Sequence, residues 1–163
     1  MEQEKPRGIT VSVEAATFRM TPVGFAVYAE QFLKAAQSIP KEDKKFTPVP
    51  YYLYCRALEL ILKAFLLLKG HEVSKLRKKY GHNLKALWKA ARKDGLADAV
   101  PELPSEIGSV LALANPYYKG KALEYFDFGR WADGYMRLPS LDQLGDSTAM
   151  LIKHLKPYCI REA

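Results

Sequence analysis

A chain of 163 residues with 48% apolar and 26% charged residues has the size and composition of one globular domain, and excludes a disulfide-stapled scaffold or a disordered chain. The formal net charge of +7 directs attention to anionic partners. No apolar run reaches the ~20 residues of a membrane span; in the most apolar stretch Lys63 and Lys69 bracket Ala64–Leu68, and the polar opening MEQEKPRG lacks a signal core. Cys55 and Cys159 are far apart in sequence, and Cys55 lies within an apolar run, so a free buried thiol at Cys55 and a reducing, cytoplasmic setting are expected.

In chain order, residues Met1–Gly8 are expected to be a disordered tail on a single domain spanning 1–163. Ile9, Val11 and Val13 alternate as a short strand would. Thr21-Pro22 has the form of an N-cap followed by proline at the first helical position. Phe25, Ala29, Phe32, Leu33, Ala36 and Ile39 then keep helical spacing to Pro40. A charged linker, KEDKKFTPVP, leads to a second helix predicted from Pro50 to Gly70. Its surface is apolar nearly all round, so it is expected to be the central helix. Arg56, Glu59 and Lys63 form one narrow polar stripe, with Glu59 and Lys63 at ion-pair spacing.

After a basic loop, a third helix is predicted over His82–Arg92, with Leu84, Leu87, Trp88 and Ala91 inward. Ser105 is placed to cap a fourth, ended by Asn115-Pro116. Residues 117–135 hold seven aromatics interrupted by glycine, which predicts an ordered loop. That loop suits packing over the bundle by its own rings, with base stacking, aided by Lys119, Lys121, Arg130 and Arg137, as the alternative. Ser140 and Gln143 form a capping box for a final helix running to Pro157. The expected fold is all-α, an up-and-down bundle of four to five helices.

The positive charge is concentrated. From Lys69 to Lys93 there are nine bases and one acid, Glu72, whereas the rest of the chain is nearly neutral. Lys75, Lys78, Lys79, Lys85, Lys89 and Arg92 are the candidates for contact with nucleic acid. Charge alone fits a solvated helix face as well as an anionic partner.

The three histidines, His71, His82 and His154, belong to no metal-ligand motif, and no glycine-rich phosphate loop, serine elbow or carboxylate pair is present, so neither metal nor cofactor is expected. What remains is Arg77-Lys-Lys-Tyr-Gly-His82. Residues five apart on a helix point ~140° apart. Arg77 and His82 therefore converge only if the chain bends, and Gly81 supplies the place. His82 would then stand at a helix N-terminus, which favours anions and lowers an imidazole pKa. Imidazole beside guanidinium suits phosphodiester cleavage. The same spacing also fits a plain helix-start turn with His82 in a packing or capping role.

The run Glu59-Leu-Ile-Leu-Lys63 through Gly70, followed by Tyr80-Gly-His82-Asn-Leu84, resembles the HEPN family (higher eukaryotes and prokaryotes nucleotide-binding). There a Glu-x3-Lys helix precedes a glycine, a short loop and a Gly-His-x-Leu helix start. Tyr135-Met-Arg137 is similar to a Tyr-Arg feature of some members, and Arg77-x4-His82 fits the family's Arg-x4–6-His signature. The resemblance covers about Pro50–Arg92. It implies a small all-α bundle, a homodimer, and an RNA or nucleotide ligand. In many members it implies metal-independent endoribonuclease activity in toxin–antitoxin, anti-phage or RNA-processing systems. Arg77 and His82 would then be catalytic, with two copies in one cleft, and Glu59 or Arg56 would orient His82, unless the polar stripe only fixes helix packing. Active members usually carry Asn, Asp or His after the arginine, and here that residue is Lys78. Other members are non-catalytic binding modules or partners of nucleotidyltransferases, so an antitoxin or a nucleotidyltransferase is an implied partner.

Overall fold

The computed structural model describes residues 20–41, 46–125, 134 and 137–163. These form an all-α bundle: α1 (Pro22–Ser38), α2 (Pro48–Leu68), α3 (Val73–Tyr80), α4 (Leu84–Lys93), α5 (Leu96–Ala99), α6 (Ile107–Lys119) and α7 (Leu141–Arg161). The expected tail 1–8, the short strand at Ile9–Val13 and, within the aromatic loop, residues 126–133 and Tyr135 lie outside the described residues.

The termini follow their local chemistry. The Thr21 hydroxyl accepts from the Gly24 amide at 3.0 Å, with Pro22 at N1. Ser140 and Gln143 close a reciprocal capping box at the start of α7. The Asn83 side chain caps α4, accepting from the Ala86 amide at 3.0 Å. α2 begins at Pro48, two residues before the predicted Pro50, because both prolines fit a first turn whose amides have no intrahelical partner.

α2 is the axis of the fold. Ala57, Leu58, Ile61, Leu62, Ala64, Phe65 and Leu66 are fully buried along it. At roughly 1.5–3 kcal/mol for each large side chain removed from water, this one helix supplies much of the driving force for collapse. It packs with α1 and α7 as a mutually contacting trio, and with the α4–α6 pair. Gly108 of α6 makes the last packing possible: a Cβ there would stand 2.7 Å from the Trp88 indole nitrogen of α4. Cys55 and Cys159 are both free and buried, and burial pushes the Cys159 thiol up to about 11. No helix among the described residues is long and apolar enough to cross a membrane.

The bundle has seven helices in the described residues rather than four or five. The basic loop is itself helical, forming α3, and a single turn, α5, precedes α6. Two helices also run through the prolines predicted to stop them. α6 continues past Pro116 to Lys119, and α7 past Pro157 to Arg161. Each proline lies near its helix's C-terminal end, where it removes one intrahelical bond. Each is followed two residues later by a fully buried side chain, Tyr118 or Cys159, that anchors the extra turn.

Candidate anion-binding pocket

The polar stripe of α2 does not face solvent. Glu59 is 1% exposed, and four donors converge on its carboxylate. Oε1 accepts from Lys63 Nζ at 2.5 Å and from an Arg56 guanidinium nitrogen at 3.0 Å. Oε2 accepts from the Tyr118 hydroxyl at 2.5 Å and meets His82 Nδ1 at 2.8 Å. Burial alone would raise the Glu59 pKa, but the Lys63 ammonium, the Tyr118 hydroxyl and the Arg56 guanidinium outweigh it, and the net direction is down. Glu59 is therefore an ionised carboxylate inside the protein. An ionised carboxylate only accepts hydrogen bonds, so Nδ1 of His82 carries a proton, and Nε2 is the ring nitrogen left to exchange a proton with a ligand.

Each donor is delivered by a different piece of local structure. Arg56 and Lys63 lie one turn either side of Glu59 on α2. Tyr118 comes from the extra turn of α6, and its ring and the His82 imidazole pack edge to face, with centroids 5.4 Å apart at 77°. Its hydroxyl pKa is raised, first by burial and then by the Glu59 carboxylate, so it remains a donor. Gly81 ends α3 with φ +52°, a conformation that side chains resist. Lys63 Nζ donates to the Gly81 carbonyl at 3.0 Å, so the same ammonium holds the carboxylate and pins the bend. His82 follows that bend and precedes the α4 cap, Asn83. It thus lies outside the first helical turn, one residue short of the position expected for a dipole effect.

Arg56, Glu59, Lys63, Arg77, Gly81 and His82 line one pocket of about 270 Å³, closed on its apolar side by Phe25, Leu60, Val73 and Leu76. The three sequence-predicted residues Arg77, His82 and Glu59 thus line a single pocket, with the Gly81 bend between the first two. The His82 side chain is 34% exposed, at the pocket surface rather than in the core. Three permanent cations and one carboxylate leave the pocket with net positive charge, which suits an anion of phosphate size. Among the described residues no group of three or more His, Cys, Asp or Glu side chains is placed to hold a metal ion.

The predicted nucleic-acid contacts Lys75, Lys78, Lys79, Lys85, Lys89 and Arg92 are all exposed, and of these Lys79 and Lys89 line a common concavity. Lys75 pairs with Glu72 at 3.0 Å, both side chains exposed. Lys79 and Lys89 line a separate groove between α3 and α4. Sequence reasoning missed Tyr118, because its partner Glu59 is 59 positions away and no local pattern joins them. It also read Lys63 only as a helix ion pair, since the carbonyl that Lys63 reaches belongs to another element. His71 Nε2 meets Asp94 Oδ2 at 2.6 Å, a pairing with no signal in the spacing either. Comparison with family models, with curated proteins and with solved structures gives no match to this chain, so the pocket's own chemistry carries the functional reading.

Proposed function

We propose that the α2–α3–α4 pocket binds a phosphate of RNA and cleaves the strand beside it without a metal ion, as HEPN endoribonucleases do. The observation that supports this most is the contact between His82 Nδ1 and the buried Glu59 carboxylate, in a pocket shared with Arg77. Glu59 fixes the ring and its tautomer, and Nε2 is the basic nitrogen. Nε2 takes the proton of a ribose 2′-hydroxyl, and O2′ attacks the adjacent phosphorus. The P–O5′ bond breaks, and the proton on the imidazole passes to the leaving 5′-oxygen. The products are a 2′,3′-cyclic phosphate and a 5′-hydroxyl. Arg77, with Arg56 and Lys63 behind it, would stabilise the charge that builds on the phosphoryl oxygens. In a homodimer, two such pockets would serve one cleft.

In His82→Ala, EDTA-resistant RNA cleavage should fall by about 10²–10⁴-fold while the far-UV circular dichroism spectrum keeps its helical form, although the melt is lowered by loss of the contact to Glu59. Undiminished cleavage by that variant would sink the catalytic reading. Lys78 favours a second reading, in which the pocket holds RNA or a nucleotide without cutting it, as a binding module or as the partner of a nucleotidyltransferase. Salt-sensitive binding with no cleavage by the unaltered protein would select that reading.

A further inference from the structure

The cationic surface has a second concavity on the other side of α3. His71, Lys79, Tyr80, Lys89, Lys93 and Asp94 line a groove of about 480 Å³ between α3 and α4. Its floor is Ala86 and Ala90, and these alternate with Lys89 and Lys93 along one face of α4. Its one carboxylate, Asp94, is engaged by His71 at 2.6 Å, so the three lysines face the opening without an acidic partner inside the groove. The Tyr80 ring forms part of the wall, with Lys79 Nζ 5.2 Å from its centroid. Lysines along a shallow floor, with an aromatic face and no fixed pattern of hydrogen-bond donors for base edges, are what a single strand needs: charge for its backbone and a ring for a base.

Arg77 belongs to the first pocket, whereas Lys79 and Tyr80, two and three residues later on α3, belong to the groove. The end of α3 is thus the wall between the two concavities. Resting on the reading that this protein handles RNA, we infer that the α3–α4 groove is an extended subsite. It holds the single-stranded RNA that flanks the phosphate in the Arg77–His82 pocket, so that recognition depends on strand length and not on one nucleotide alone. Lys75 and Lys78 are exposed on α3 but do not line the groove.

The test is fluorescence anisotropy with labelled 2′-O-methyl RNA, which lacks the attacking hydroxyl. A dinucleotide is compared with a single strand of about eight nucleotides and with a duplex of the same length. The unaltered protein should bind the single strand at least about tenfold more tightly than either of the others. Lys89→Ala/Lys93→Ala should lose that gain and reduce the slope of log affinity against log salt by about 1.4, while dinucleotide binding and the thermal melt stay unchanged. Tyr80→Leu, which keeps an apolar side chain against the core, should weaken strand binding by about tenfold without changing the slope.

Equal affinity for dinucleotide and strand, or a length gain retained in the double variant, would overturn the subsite. Equal affinity for the duplex would overturn it too. Equally tight capture of a glutamate-rich peptide would assign the groove to an acidic protein surface instead. A dinucleotide bound through Arg77, with no gain from length, would remove only the groove. If neither dinucleotide nor strand binds, the phosphate pocket fails with it.

Discussion

Glu59 is where structure and chemistry depend on the same atoms. A carboxylate in the interior is costly unless its charge is answered, and here two cations, a phenol and an imidazole answer it. Glu59→Ala leaves Lys63 and Arg56 without their anion and should lower unfolding free energy by about 3–5 kcal/mol, measured by urea titration near neutral pH. Tyr118→Phe removes one hydrogen bond to a charged group and should cost about 1.5–3 kcal/mol. The pH dependence has a definite sign. The folded pKa of Glu59 lies below its ordinary 4.5, so its contribution is whole above that value and is lost as pH falls through the folded pKa. The stability gap between the unaltered protein and Glu59→Gln should therefore narrow as the pH falls below 4.5. A gap that widens on acidification would mean that Glu59 is held protonated.

At the scale of elements, what was legible in the sequence is what depends on local pattern. The apolar surface of α2, the Thr21 and Ser140 caps and the bend at Gly81 each express chemistry within a few residues. The basic stretch after Gly70 escaped because α3 has one buried side chain, Leu76, and a period needs more than one apolar position. The turns beyond Pro116 and Pro157 escaped because tertiary burial of Tyr118 and Cys159 holds them. Two expectations follow. Amides of α3 should exchange with solvent well before those of α2, read by hydrogen exchange, since one leucine anchors the first helix and a fully buried row anchors the second. Gly108→Ala should lower the melting temperature. Helix propensity gains at most ~1 kcal/mol, and a Cβ 2.7 Å from the rigid Trp88 ring costs about 1–3 kcal/mol of overpacking.

For the whole molecule, the decisive fact is the distribution of charge rather than its sum. Concentration of the excess in one segment was plain from the sequence, but its division into two concavities was not. That division depends on which side of α3 each base faces, and on distant partners such as Asp94 for His71. Placing like charges on one hairpin costs folding stability through self-repulsion, and a polyanion would recover it. A ligand that binds only the folded state at 100 times its dissociation constant adds about 2.7 kcal/mol. For a chain of this size that should raise the melting temperature by roughly 5–10 °C. Single-stranded RNA at low ionic strength should therefore raise the melt by that amount, and screening by added salt should erase the shift. Arg77→Ala should reduce it, since Arg77 is the pocket's cation on α3 itself. A shift of equal size in high salt would show that charge is not what holds the strand, and would count against both the pocket and the groove.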